Sequence, residues 1–297
     1  MNNVLTLIGN PAGGVPAAAT AAREVLAAAG AAVGAADWLA PDLACDLPFD
    51  WLAPDAAQEA VAHRLGAAPV DVYAGPRSGR RKRLLVADMD STIITVECID
   101  ELADFAGKRA EVSAITERAM RGELDFVAAL RERAAMLAGL DESVMAAAFD
   151  ARVRLTPGAK TMVATMRAHG AFTALVSGGF TYFTGRVRAL TGFDLDRANR
   201  LEVADGKLNG RVTEPILGAQ AKLAAINELT AARGLALADA LAVGDGANDI
   251  PMLQAAGLGV AFRAKPKVAA AVRARVSHGN LTALLYLQGY RESEFVG

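Results

Sequence analysis

The stretch Leu84-Leu-Val-Ala-Asp-Met-Asp-Ser-Thr92 decides how this chain is read. Its four leading apolar residues form the short continuous run expected of a strand buried on both faces, as in a parallel sheet. Asp88 and Asp90 leave the end of that strand two positions apart, a spacing that can put both on one side. Carboxylates this close repel and need a cation or a shared proton between them. Oxygen ligands of this kind suit a hard divalent cation such as Mg²⁺. One carboxylate can attack phosphorus while the other handles the leaving-group proton. A polar turn capping a strand is the plainer alternative, and this segment alone leaves both readings open.

Three further segments repeat the pattern of polar groups placed just after an apolar strand or on a helix beside one. A strand at 172–176 runs into Ser177-Gly178-Gly179, where glycines would let the backbone approach a phosphate and the hydroxyl would add a donor. An ordinary tight turn would look the same. A strand at 240–243 ends in Gly244-Asp-Gly-Ala-Asn-Asp249. There Asp245, Asn248 and Asp249 would hold a cation or cap a helix, and three polar groups with two glycines exceed what capping needs. Lys222 lies on a helix expected at 219–233. A helical lysine is ordinarily a solvated charge, but one between these segments could neutralise phosphoryl oxygens. A fourth strand is expected at 259–262, and a hairpin around Asp205-Gly206. Residues 98–150 have charged and apolar positions at helical spacing. Strands alternating with helices predict an α/β fold with a parallel sheet covered on both faces, whose ligands bind at the strands' carboxyl ends.

Residues 1–75 read as a small α+β module, with strands at 4–8 and 70–73, helices at 15–29 and 56–65, and an ambiguous stretch at 31–50. An amino-acid-binding module of the ACT type is one possibility, without a ligand signature to support it. Residues 76–83, Pro-Arg-Ser-Gly-Arg-Arg-Lys-Arg, read as a basic, solvated linker, because no aromatic residue interleaves with the charges as a nucleic-acid contact would require. The phosphate-chemistry segments all fall in 84–297. Over the 297 residues, 53% are apolar and 22% charged, with a net charge of −2. That balance gives no general pull toward nucleic acid or membrane. The first residues lack the basic flank and apolar core of a signal peptide. No run reaches the roughly 18 apolar residues of a membrane span. Cys45 and Cys98 offer no disulfide framework, so a reducing compartment, the cytoplasm, is expected.

Asp-x-Asp-x-Thr, Ser-Gly, Lys and Gly-Asp-Gly-x-Asn-Asp, in this order, resemble the haloacid dehalogenase (HAD) superfamily over about residues 84–288. That likeness implies a Rossmann-like parallel sheet with a helical cap inserted after the first core strand, at about 98–152. More finely, Asp88-Met-Asp-Ser-Thr-Ile-Ile-Thr-Val-Glu97, Ile115-Thr-Glu-Arg-Ala-Met-Arg-Gly-Glu-Leu-Asp-Phe126 and Leu130-Arg-Glu-Arg133 are similar to the phosphoserine phosphatase family. The resemblance implies Mg²⁺-dependent hydrolysis of O-phospho-L-serine, the last step of serine biosynthesis. Asp88 would be the nucleophile and Asp90 the acid and base. Mg²⁺ would be held by the Asp88 carboxylate, the Asp90 carbonyl and Asp245, with Asp249 nearby or acting through water. Ser177, the Gly178 amide, Lys222 and Asn248 would cradle the phosphoryl group. Glu97 would pair the substrate's ammonium and Arg133 its carboxylate, chemistry that a carboxylate and a guanidinium fork are suited to. Met120 and Phe126 would line the pocket or fill the cap's core. A homodimer is compatible with the family. A phosphotransferase, or a phosphatase for another small phosphomonoester, would use the same residues. A non-catalytic serine or phosphate sensor is disfavoured because every matched position is filled.

Overall fold

The structure is a computed structural model that describes residues 1–10 and 13–297. Residues 11 and 12, within the start read as lacking a signal peptide, lie outside the described residues. The N-terminal part consists of β1 (Asn3–Ile8), α1 (Val15–Ala28), β2 (Ala32–Val33), β3 (Asp37–Ala40), β4 (Ala44–Asp50), α2 (Pro54–Leu65) and β5 (Asp71–Pro76). The strands form an antiparallel sheet in the order β2-β4-β1-β5, with β3 also paired to β4. One face packs on the helices through Leu5, Leu7, Leu47 and Phe49 against Val15, Leu26 and Val61. The opposite face is covered too: Ile8, Leu39, Ala40 and Ala44 belong to the same buried cluster as Leu284 and Tyr286 near the C-terminus. This explains why 31–50 was ambiguous in sequence. A strand covered on both sides, as β4 largely is, loses the apolar–polar alternation that announces a half-buried one.

The remainder follows as β6 (Leu84–Ala87), α3 (Cys98–Phe105), α4 (Arg109–Met120), α5 (Phe126–Ala135), α6 (Val144–Arg152), α7 (Ala159–Ala168), β7 (Phe172–Phe180), α8 (Thr181–Thr191), β8 (Leu195–Asn199), β9 (Leu201–Ala204), β10 (Lys207–Val212), α9 (Ala219–Ala231), β11 (Ala240–Gly244), α10 (Ile250–Ala255), β12 (Leu258–Phe262), α11 (Pro266–Ala271), β13 (Ala274–Val276) and α12 (Ala283–Leu287). Six strands make the expected parallel sheet, in the order β13-β12-β11-β6-β7-β8. The edge strands β8 and β13 were not foreseen. β8 is the polar run Leu-Asp-Arg-Ala-Asn, mostly half-buried, and β13 has three residues. β9 and β10 form the hairpin around Asp205-Gly206. Among the described residues no helix is long and apolar enough to cross a membrane.

Strand pairing positions the site. β6 is central, and Ala87 is level with Val243 of β11 on one side and Leu175 of β7 on the other. The next residues on each strand therefore emerge together at the carboxyl edge. From β6 the chain proceeds outward through β7 and β8, then crosses to β11, so the strand order reverses beside β6. Such a switch point leaves an open crevice at the strand ends. The helices α3–α6, inserted between β6 and β7, cover it. The cap is joined to the hairpin by Gly139 N to Leu208 O and Leu208 N to Leu140 O, both 2.8 Å.

Most of the run 76–83 is exposed, as a solvated linker would be, but Arg80 is half-buried. Arg80 reaches into the seam between the two sheets. It pairs with Asp46 and donates to Thr6 Oγ1 (2.9 Å), Tyr286 O (3.1 Å) and Leu287 O (3.2 Å). Arg81 pairs with Glu294 at 2.7 Å and lies over the Tyr290 ring. Composition sees only the charges; the acceptors come from distant parts of the chain. The same seam is closed by Asp71, whose carboxylate accepts from the amides of Ser277, His278 and Gly279.

Candidate active site

Asp88 and Asp245 follow the ends of β6 and β11, and Ser177 lies in the last part of neighbouring β7, which continues to Phe180 instead of ending at 176; all three are buried. After Asp88 the chain bends: Asp90 is extended, and Ser91 takes the left-handed conformation at φ 55°. The bend turns the Asp90 carboxylate back into the site. Its Oδ1 accepts from the amide of Cys98, the first residue of α3, at 3.0 Å, and its Oδ2 lies 3.5 Å from Ser177 Oγ. A helix N-terminus favours a negative group in this position. A Cβ at Gly179 would come 2.5 Å from Asp90 Oδ2, so the second glycine of Ser-Gly-Gly makes room for this carboxylate.

Lys222 is 1% exposed and far from the ordinary solvated lysine. Its Nζ lies 2.6 Å from both Asp88 Oδ1 and Asp249 Oδ1. Burial alone would lower the ammonium's pKa, but Asp249 and Asp88 hold it above the usual lysine range. The other Asp249 oxygen accepts from Gly246 N at 3.1 Å, and Gly244 leaves no space for a Cβ against that side chain. Asp245 Oδ1 accepts from Thr92 Oγ1 at 3.1 Å. Carboxylate oxygens of Asp88, Asp245 and Asp249 all lie within 4.8 Å of one another. Burial pushes Asp88 up to about 7, with the charge of Asp249 adding to it and Lys222 opposing it. Asp245 is raised well above the usual carboxylate range by burial and by the charges of Glu97, Asp88 and Asp249. One ammonium does not balance such a group, and a hard cation on oxygen ligands would. The donor set therefore fits a divalent ion, with Asp88 and Asp245 the oxygens least engaged elsewhere.

Burial likewise pushes Asp90 up to about 6 and, with help from the Asp90 charge, Glu97 up to about 7. Glu97 accepts from Ser91 Oγ at 2.6 Å. Arg133 on α5 is 2% exposed. Its Nε donates to Ala129 O at 3.1 Å and its Nη1 to Thr116 Oγ1 at 3.0 Å, and it makes no ion pair among the described residues. Burial lowers its pKa. A buried guanidinium with donors to spare is costly unless an anion comes to it. Asn248 has the converse need, since its Oδ1, an acceptor, is buried without a partner and would take a proton donor.

These groups share one cavity of about 30 Å³, with Asp88, Asp90, Glu97, Arg133, Ser177 and Asn248 among its lining. That is about the space of one water molecule; a cleft of about 350 Å³ alongside still reaches Glu97 and Asp245, but over Asp88 and Ser177 the cap is down. Phe126 and Met120 shut it: a Cβ at Gly178 would meet Phe126 Cζ at 2.5 Å, and one at Gly246 would meet Met120 Sδ at 2.6 Å. A larger cleft of about 840 Å³ lies between α8 and the β9–β10 hairpin. It shares Phe180 with the site but none of its carboxylates.

All the residues singled out in sequence thus converge here. Sequence reasoning missed Asn199, whose Nδ2 donates to Gly178 O (2.9 Å) and Leu217 O (3.1 Å) while its Oδ1 accepts from Leu217 N (2.7 Å). It fastens the Ser177-Gly178 segment of β7 to the approach of α9, which carries Lys222. An asparagine ending a polar edge strand gives no signal of this. Thr92 and Ser91, which orient Asp245 and Glu97, were inside the quoted motif but had no role assigned.

The model of the haloacid dehalogenase-like hydrolase family matches residues 85–254. A phosphoserine phosphatase of Streptomyces coelicolor is 46% identical over 237 residues, 79% of this chain and 58% of that protein. One from Polaromonas sp. is 44% identical over 210 residues, 69% of this chain and 89% of the relative. The chain thus spans somewhat over half of the first relative and most of the second. A solved phospho-aspartyl intermediate analogue of phosphoserine phosphatase superposes with a TM-score of 0.67 at 38% identity, covering 69% of this chain and 98% of that one.

Proposed function

Since the chain belongs to the haloacid dehalogenase-like hydrolases, and among them to the phosphoserine phosphatases, we propose that it hydrolyses O-phospho-L-serine to serine and phosphate through a phosphorylated Asp88. An Asp88 oxygen attacks phosphorus as the bond from phosphorus to the seryl oxygen breaks. Asp90, with its pKa pushed up to about 6, retains a protonated fraction near neutrality and gives that proton to the departing oxygen. Asp90 then takes a proton from the water that attacks phosphorus, the bond from phosphorus to Asp88 breaks, and phosphate is free. Lys222, 2.6 Å from Asp88, neutralises charge on the transferred group, with the Ser177 hydroxyl, the Gly178 amide and the Asn248 amide as further partners. Mg²⁺ is the cation proposed for Asp88 and Asp245, with the Asp90 carbonyl as a third ligand; when bound it supplies Lewis-acid stabilisation of the phosphoryl oxygens and lowers repulsion between the carboxylates.

The observation that carries the substrate is Arg133. A buried guanidinium without an ion pair, opening on the same cavity as the phosphoryl acceptor, suits a phosphomonoester that also bears a carboxylate. Glu97 across the cavity suits its ammonium. The shut cap excludes competing nucleophiles during the transfer. A cytoplasmic location accords with Cys45 and Cys98, both buried and unpaired. The test is phosphate release with Mg²⁺ from phosphoserine and from a panel of other phosphomonoesters, with and without added alcohols as acceptors. Phosphoserine is expected to lead in kcat/KM. A lead for a phosphomonoester without the amino-acid group, or transfer to an alcohol outrunning hydrolysis, would overturn the proposal.

A further inference from the structure

Arg133 does not meet a carboxylate of the protein directly; it meets one through a hydroxyl. Its Nη1 donates to Thr116 Oγ1 at 3.0 Å, and that oxygen lies 2.6 Å from Asp100 Oδ1 and 3.0 Å from Val112 O. A hydroxyl has one proton, and the shorter contact to a charged acceptor takes it. Among the described residues the Asp100 carboxylate is otherwise hydrogen-bonded by Ser113, whose Oγ donates to Oδ2 at 2.7 Å. Asp100, Thr116 and Arg133 are all buried. They come from three cap helices, α3, α4 and α5, and Asp100 lies one helical turn after Glu97.

We propose that Thr116 and Asp100 are positioning residues for the substrate's carboxylate: Asp100 fixes the direction of the Thr116 proton, so that Thr116 must accept from Arg133 and hold the remaining edge of the guanidinium toward the cavity. The inference rests on the reading of Arg133 as the carboxylate's partner. Its physical point is the spacer. An aspartate in direct contact with Arg133 would occupy the two-pronged face that the substrate needs. With a hydroxyl between them, the negative charge still offsets part of the cost of burying Arg133, while Nη2 and the second Nη1 hydrogen, the donors not used by Ala129 O and Thr116, stay free for the substrate. Donation to the carboxylate also polarises the hydroxyl and strengthens it as an acceptor. The expected cost of removing Thr116 is a weaker and less well aimed Arg133, felt by substrates with a carboxylate.

The experiment compares KM and kcat for phosphoserine and p-nitrophenyl phosphate, which has no carboxylate, in Thr116→Val, Thr116→Ser, Asp100→Asn and Arg133→Met. Thr116→Val is expected to raise KM for phosphoserine about tenfold, the order of one hydrogen bond to a charged group. KM for p-nitrophenyl phosphate should move less than twofold, and Thr116→Ser should restore the wild-type values. Asp100→Asn keeps the shape, removes the charge and should shift KM the same way; it also serves if Thr116→Val does not fold. A purely structural role would lower the melting temperature and impair both substrates alike, and that result would overturn the proposal. So would an unchanged phosphoserine KM in both Thr116→Val and Asp100→Asn while Arg133→Met loses its preference for phosphoserine. If Arg133→Met keeps that preference, the carboxylate reading itself falls, and this inference with it.

Discussion

Asp88 and Asp90 bear the same side chain two positions apart, and their surroundings divide the work. Asp88 is held by Lys222 at 2.6 Å, a contact that favours its anionic form against burial, as the proposed nucleophile needs. Asp90 is held by one backbone amide and is otherwise turned toward Ser177. Its raised pKa comes first from burial, as expected of a group that must carry a proton near neutral pH. Asp88→Asn preserves shape and removes the nucleophile. Phosphate release from phosphoserine and p-nitrophenyl phosphate is expected to fall on the order of 10³-fold or more, while thermal melting shows an intact fold. Retained turnover would remove Asp88 from the attacking role.

At the scale of elements, the cap and the core meet through side chains seated on glycines. Phe126, the first residue of α5, lies against Gly178 and Gly218, and Met120, the last of α4, lies against Gly246. With the cap down, the cavity of about 30 Å³ is far too small for phosphoserine, so the proposed reaction would require the α4–α5 turn to lift. Gly178→Ala retains the backbone amide but places a methyl where the Phe126 ring now sits. We expect kcat/KM for phosphoserine to fall between about 10- and 100-fold, the scale of an ångström-sized misplacement. Phe126→Leu in the same chain should recover part of that loss, and steady-state kinetics on the four combinations would measure the coupling. Equal, additive losses would mean that the two side chains do not set closure.

At the scale of the whole molecule, the strand ends gather more negative than positive charge in a buried crevice. Folding raises Asp88 from 3.8 to about 7, Asp90 to about 6 and Glu97 from 4.5 to about 7, and raises Asp245 as well. A folded-state pKa above the unfolded one means that the folded state binds those protons more tightly. Their contribution to stability is full below about pH 4 and is lost as pH rises through 6 to 7. A divalent cation competes with the same protons. Added Mg²⁺ should therefore raise the melting temperature more at pH 8 than at pH 5.5, in melts run with and without a chelator. An equal rise at both pH values would count against a cation at these carboxylates. The parts of this architecture that were legible in sequence are those whose signals are local. Central strands such as β6 and β11 are buried on both faces, so their apolar runs stand out, and the polar groups that follow them lie in short contiguous motifs. The sequence by itself therefore determined the α/β class and the helical character of 98–150, and singled out Asp88, Asp90, Ser177, Asp245 and Asn248 as candidates for a phosphate site. Only the tertiary structure decided that Lys222 bridges Asp88 and Asp249, that Arg80 closes a seam instead of lying in solvent, and that Asn199 fastens the Gly178 backbone. A lysine, an arginine or an asparagine looks the same in sequence whether solvated or buried; its burial and its partners are set by segments far away along the chain.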